Sequence, residues 1–391
     1  MRVRFMLLAI TVAISVFTFS SCSEENPITP EVPKPNIPAP KPEETNPIPS
    51  FHDIKFNGNG IVMEIKPVGY LGYVTYPFKI KGTNMFLDKN LNGIKDNGEE
   101  IKDDFEGNLT LIKERGKAVF VILGDVTSFE LLNQFEDKIV GEDPKYPKIR
   151  VSNIDASKCA TLKELIVKDS SLEVVDLFKT KELVKLDLTD NDVRKIYLKN
   201  TTKLEEISLY NNADIDSTID FSTLSSLKKA NLSFTNIKDI VFPKSNNIEV
   251  LELISTEISK IDLSNIAKLK VLKYAGYNMT TIDISSCNEL ADLNLYGALS
   301  LKEIIDNKAN EGKEKLKSIT IGETPKLTNF DFTKYVGLTE IIAHNDLGID
   351  INELINRLPV ANDERGILVL SKKNKDAIKD QQAFNSKKWF Y

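Results

Sequence analysis

The chain has 391 residues, 41% of them apolar, and its 51 basic and 57 acidic side chains leave a formal net charge of −6. That apolar content over that length supports a sizeable core and excludes a chain disordered throughout. No basic stripe interleaved with aromatics occurs, which argues against nucleic acid as a partner.

Residues 1–21 open with Arg2 and Arg4, run apolar from Phe5 to Phe19, and end on Ser20 and Ser21 before Cys22. This is the pattern of an export signal, too short and too near the terminus for a stable spanning helix. Its closing cysteine resembles the lipid-attachment position of bacterial lipoproteins, which implies a lipid on Cys22. Ser23, Glu24 and Glu25 resemble the surface-export signal of Bacteroidetes lipoproteins, which implies an outer-membrane lipoprotein exposed at the cell surface. The alternative is an ordinary cleaved leader. No other segment could span a bilayer, so membrane attachment is expected through the lipid anchor only. Residues 22–50 are rich in Pro with interspersed charge, which predicts an extended tether of about 3 Å per residue.

Over residues 51–125 short β-type runs alternate with Gly, Asn and Asp turns, predicting a small β domain that covers the first coil of the repeats beyond it. Within it, DKNLNGIKDNGE (residues 88–99) fits the calcium-loop pattern D-x-[DN]-x-[DN]-G-x5-E. Asp88, Asn90 and Asn92 would supply side-chain oxygens, Ile94 a carbonyl, Asp96 the ninth position, and Glu99 a bidentate closure, while Gly93 permits the sharp turn. A structural calcium ion is the expectation. The flanks read as strands, and Asn/Asp/Gly runs also build metal-free turns, so both readings stand.

Residues 126–349 are internally repetitive. In Leu183 to Leu204 the apolar residues Leu183, Leu186, Leu188, Val193, Ile196 and Leu198 would scatter around a helix, but as extended chain they form two short alternating strands separated by polar turns. Each unit is therefore one coil of a solenoid. Regular units start at Leu162, Leu183, Leu204, Leu227, Ile248, Leu269, Leu290, Leu316 and Leu338, most of them 21 residues apart. Eight residues into a unit stands a polar side chain suited to satisfying turn amides: Ser170, Asn191, Asn212, Thr235, Thr256 and Thr324. Tyr277 and Ala298 break this column. Cys159 and Cys287 take the same corner of coils about 29 Å apart at roughly 4.8 Å per coil, too far for a disulfide.

Residues 350–391 change character: INELINRL has helical spacing, GILVLS reads as a strand, DAIKDQQAF is helical again, and KKWFY closes a C-terminal cap. Taken together, the units, the turn FLDKNLNGIKDNGEEI before them and the ending NSKKWFY resemble the short leucine-rich repeats of Bacteroidetes surface lipoproteins. The expected fold is mainly β: a leucine-rich repeat solenoid of about ten coils with β-strands on both sides, preceded by a small β domain and closed by an α/β cap.

The inner, concave sheet is the expected binding surface. Its outward positions place Val250, Ile254, Val271 and Ala275 together as an apolar centre, with Tyr210 and Tyr296 on its flanks. At the start of the sheet opposite charges sit on neighbouring strands, as in self-neutralisation of a sheet. On the opposite strand Asp155, Asp176, Asp220, Asp262 and Asp283 read as a solvated face. His52 and His344 lie in different regions, and neither a phosphate-binding Gly loop nor a metal-spaced His/Cys cluster occurs, so no enzyme is expected. Two ligand classes stay open beside a purely structural role: a protein or host ligand bound in adhesion, and a glycan captured for nutrient uptake.

Overall fold

The computed structural model describes residues 58–66, 73–112, 118–132, 150–244, 247–306, 315–328, 330–361 and 366–391. The expected leader, Cys22 and the tether lie outside these residues. Of the two units into which the chain divides, the described residues belong to Phe51–Gln134 with Asp143–Tyr391. This unit is a β-solenoid of about 11 turns of about 21 residues each, with 38% strand and 7% helix. No helix among the described residues is long and apolar enough to cross a membrane.

Four long strands come first: β1 (Gly60–Lys66), β2 (Tyr73–Leu87), β3 (Asp104–Ile112) and β4 (Ala118–Leu131). Short strands then follow in chain order. They are β5 (Arg150–Asp155), β6 (Glu164–Val167), β7 (Val174–Asp176), β8 (Lys185–Asp187), β9 (Lys195–Tyr197), β10 (Glu206–Ser208), β11 (Thr218–Asp220), β12 (Lys229–Asn231) and β13 (Asp239–Val241). Next are β14 (Val250–Ile254), β15 (Val271–Ala275), β16 (Thr281–Asp283), β17 (Asp292–Asn294), β18 (Glu303–Ile305), β19 (Ser318–Thr320) and β20 (Glu340–Ala343). The chain ends with α1 (Ile351–Asn356), β21 (Gly366–Leu370), α2 (Lys372–Asp376), α3 (Gln381–Ser386) and β22 (Trp389–Phe390).

β4 joins the first region to the solenoid without interruption at residue 125. Its first half pairs antiparallel with β1, while Ser128–Leu131 pair in parallel with β6. From there one long parallel sheet runs through β8, β10, β12, β14, β15, β17, β19, β20, β21 and β22. Strand β1 also pairs antiparallel with β5, the first strand of the second wall. Both walls thus start from one hairpin-like end, and Phe78, Phe120 and Phe129 fill the space between them.

The repeat period sets the register. Leu165, Leu186, Ile207, Ala230, Leu251, Leu272, Leu293, Ile319, Ile341 and Leu368 are direct partners down the long sheet, all buried. Removing one such side chain, as in Leu186→Ala, costs about 2–5 kcal/mol in lost transfer energy and cavity formation. Just past the strands of the long sheet the chain repeatedly turns through a left-handed residue: Asp169, Asp190, Asn211, Phe234, Ser255, Glu323 and Asn345 all have φ between 45° and 58°.

The second wall is less regular than the first. It forms three separate ladders, β5–β7–β9, β11–β13 and β16–β18. The coil holding Ile258 and Leu263 has no strand there, and in another a 3₁₀ turn at Phe332–Lys334, capped by Asp331, takes its place. The aspartates of this wall are more than a solvated face. Asp155, Asp176, Asp220, Asp262 and Asp283 each accept the backbone N–H two residues on, at 2.8–3.0 Å, closing the turn. Where Val241 stands instead, the residue two on is Pro243, which has no N–H to offer.

Both described cysteines are buried thiols without a disulfide. Burial pushes the Cys159 thiol up to about 11, and its Sγ donates to the Val126 carbonyl at 3.5 Å. At the far end, Asp350 caps α1 by accepting the Asn352 and Glu353 amides, and β21 adds in parallel to β20. The helix expected over residues 376–384 is two short ones, because Ser371 caps α2 and starts it earlier. Trp389 is fully buried across Gly366, whose missing Cβ would lie 2.5 Å from the indole, and its Nε1 donates to the Pro359 carbonyl at 2.8 Å.

Candidate binding face

Strands β14 and β15, five residues each, are the longest of the repeats in the long sheet. Alternation turns Leu251, Leu253, Leu272 and Tyr274 inward and leaves the residues between them outward and half-buried. Parallel register sets Val250 directly beside Val271 and Ile254 directly beside Ala275, so the predicted centre is assembled. It is not continuous. Glu252 and Lys273 are partners in the same ladder, and their ion pair at 2.7 Å crosses the sheet between the two apolar pairs. The face therefore carries two small apolar steps, Val250/Val271 and Ile254/Ala275, separated by a neutralised charge pair.

The aromatic flanks are held in different ways. Tyr210, half-buried, meets Phe234 edge to face with ring centroids 5.1 Å apart. Phe234 is exposed and left-handed in backbone, and its N–H donates to the Ile254 carbonyl at 2.7 Å. On the other flank the Tyr296 ring lies over Gly322, where a Cβ would come within 2.7 Å of it. Its Oη donates to Glu323 at 3.0 Å, and Asn345 Nδ2 donates to both, at 3.2 Å to Tyr296 and 3.0 Å to Glu323. Burial, then the Glu323 carboxylate, raises the Tyr296 phenol above its ordinary range.

One aromatic residue of this rim, Phe234, is absent from the site read in the sequence. Phe234 stands seven residues into its unit, in the turn that follows the strand, and Tyr277, which breaks the polar column eight residues into its own unit, is 68% exposed. An aromatic at a position held by Asp169, Asp190, Asn211 and Ser255 in nearby units was the signal available.

The calcium-loop residues lie between β2 and β3. Asp88 and Glu99 are buried, and both carboxylates are engaged by backbone. Asp88 accepts Asn92 and Gly93 amides at 3.1 and 2.8 Å, and Glu99 accepts those of Lys89 and Asp96 at 2.8 and 3.0 Å. Asn90 and Asn92 accept the Asn92 and Ile94 amides through their side-chain oxygens and donate their Nδ2 groups to one oxygen of Asp96 at 2.7 and 2.8 Å. Both amide donors aim at the carboxylate that would take the ninth position, so a cation here requires those side chains to turn. Among the described residues no group of three or more His, Cys, Asp or Glu side chains is arranged to hold a metal ion.

No protein-family profile and no curated protein sequence matches the chain. Among solved structures it is similar to TLR13 in its complex with ssRNA13, at 18% identity and a TM-score of 0.35 over 48% of this chain and 33% of that one. It is also similar to the functional domain of InlJ from Listeria monocytogenes, at 17% identity and a TM-score of 0.29 over 56% of this chain and 62% of that one. A leucine-rich repeat protein of Leptospira interrogans matches at 16% identity and a TM-score of 0.32, over 60% of this chain and 79% of that one. The chain thus spans less than two thirds of the length of the TLR13 and InlJ chains it matches.

Proposed function

We propose that this chain is a non-enzymatic recognition protein that binds a protein ligand through the outward face of its long sheet, displayed at the cell surface by a lipid on Cys22. The observation that carries the binding reading is the register of β14 and β15, which brings Val250 to Val271 and Ile254 to Ala275 between aromatic residues on either flank. Tyrosines are enriched among the few residues that carry most of the energy of a protein interface, and half-buried apolar steps between them add complementarity. The anchoring reading rests on the basic, apolar and small-residue order that ends at Cys22. A structural calcium ion at residues 88–99 belongs to the same proposal, resting on the ligand pattern alone.

A glycan ligand is the second reading. Tyr296, packed against Gly322 with Glu323 and Asn345 at its hydroxyl, offers a ring and polar groups side by side. The single Trp, however, is buried at the chain end and contributes no platform.

Parallel arrays of matrix proteins and glycans probed with the full chain separate the two. Protein binding that disappears in the Tyr210→Ala/Tyr296→Ala double variant supports the first reading; binding to glycans alone overturns it. Incorporation of labelled fatty acid that is lost in Cys22→Ala tests the anchor.

A further inference from the structure

The charges on the outward face of the long sheet are distributed unevenly. In its first part they cancel: Lys168 pairs with Asp187 at 2.7 Å, Lys229 with Glu206 at 2.6 Å, and Lys185 stands beside both Glu164 and Glu206. From β14 onward the outward strand positions carry the carboxylates Glu252, Asp292 and Glu340 against one lysine, Lys273. That lysine is committed to Glu252.

Asp292 is left over. It stands on β17 directly beside Val271, with Ser318 on its other side and Glu340 one strand further, about 10 Å away at the usual strand separation. It is half-buried, and no side chain among the described residues is hydrogen-bonded or ion-paired to its carboxylate. Burial raises its pKa above the ordinary carboxylate value, Lys273 opposes this, and Glu340 adds to it. Among the described residues the Glu340 carboxylate accepts one side-chain hydrogen bond, from Ser318 at 3.0 Å. A half-buried carboxylate beside an apolar step gains most from a cation delivered by something that also covers the step, because exclusion of water strengthens a charge-assisted hydrogen bond.

We infer that this part of the face takes a segment of a protein ligand in which a Lys or Arg lies beside an apolar side chain, the cation on Asp292 and Glu340 and the apolar group on Val250 and Val271. The inference rests on the reading of the long sheet as a protein-binding face and specifies its ligand. It also sets a polarity: acidic segments are rejected by the same two carboxylates.

The test is selection of a random peptide display library on the immobilised full chain, in parallel with Asp292→Asn and with Tyr210→Ala/Tyr296→Ala. Wild type is expected to enrich sequences with Lys or Arg adjacent to Val, Leu, Ile or Phe. Asp292→Asn should lose that enrichment and bind a selected peptide at least tenfold more weakly by fluorescence anisotropy, with an unchanged thermal melt. Recovery of peptides without cationic enrichment, the same enrichment on Asp292→Asn, or no enrichment at all overturns the inference. If the selected peptides bind Asp292→Asn normally but fail on the tyrosine double variant, the cation assignment falls and the binding face stands. If neither variant changes binding, both fall.

Discussion

The Oη of Tyr274 accepts the amide N–H of Met279 at 3.0 Å inside the core of the coil that carries β15. In two earlier coils the equivalent amide is served from the next coil: Leu172 donates to Asn191 Oδ1 at 3.1 Å and Val193 to Asn212 Oδ1 at 3.0 Å. The matching partner for Met279 would be residue 298, but that is Ala298, which has no acceptor. Tyr274, fully buried in a column of leucines, supplies the oxygen from within, and Gly276 leaves room for it, since a Cβ there would lie 3.0 Å from the phenol oxygen.

Tyr274→Phe keeps the ring and removes the hydroxyl, which accepts from Met279 and also donates to the Ile258 carbonyl at 3.4 Å. It should destabilise the fold by about 1–3 kcal/mol, the penalty of leaving a buried amide unsatisfied, read as a lower denaturant midpoint at unchanged slope. Adding Ala298→Asn restores an acceptor from the next coil and should recover part of the loss. A double variant no more stable than Tyr274→Phe alone would show that the two positions do not share this task.

Asn212 and Thr235 occupy the same column, yet their substitution should differ in severity. Asn212 accepts from Val193 and donates to the Leu188 and Leu209 carbonyls at 2.9 and 3.0 Å, which ties two coils together. Thr235 Oγ1 donates to Leu232 at 2.7 Å, within its own coil. Asn212→Leu is therefore expected to cost about 3 kcal/mol or more and Thr235→Val about 1 kcal/mol. Equal losses in parallel denaturant titrations would contradict the ladder role of Asn212.

How far the chain could be read in advance follows from which forces are local. Leu186 and Leu188 announce their strand through alternation, and Asp169, Asp190 and Asn211 suit a left-handed turn by their own chemistry. Phe234 and Glu323 take the same backbone only because stacking on adjacent coils imposes it, which no local pattern reveals. The site behaved likewise. Equal spacing was enough to put Val250 beside Val271 and, by the same step, Glu252 beside Lys273, whereas the closure of that pair at 2.7 Å between the two apolar steps depends on side-chain conformation, which spacing does not carry. The closing of turns by Asp155, Asp176 and their equivalents was hidden because an acidic column looks the same whether it is merely solvated or bonded to backbone.

Asp176 carries the clearest pH signature of that column. Burial raises its carboxyl pKa above 3.8, and Asp155 on the adjoining strand adds to the shift, while the Phe178 amide opposes it. A raised carboxyl binds its proton more tightly in the folded state than in the unfolded one. Its contribution to stability therefore falls as pH rises from 3.8 through the raised folded value, and the charged form above that is unfavourable. Asp176→Asn keeps an oxygen for the Phe178 amide and removes the charge. Its melting temperature at pH 7 should equal or exceed that of wild type, and the advantage should vanish near pH 3. A variant less stable than wild type at pH 7 would mean that the charge itself holds the turn.

Calcium at residues 88–99 can be separated from the turn by one residue. Asp88 and Glu99 hold backbone amides, so removing either weakens the loop whether or not a cation is present. Asp96 is different: the side-chain contacts to its carboxylate come from the Asn90 and Asn92 amide groups, not from backbone. Asp96→Ala should leave the melting temperature in EDTA nearly unchanged. With calcium, wild type should melt several degrees higher, because an ion that binds only the folded state adds RT ln(1 + [L]/Kd) to stability, about 2.7 kcal/mol at a hundredfold excess over Kd. Asp96→Ala should lose most of that rise. If calcium leaves wild type unmoved and calorimetry registers no heat of binding, Asp88 and Glu99 serve the turn alone and the pattern is structural chemistry without a metal.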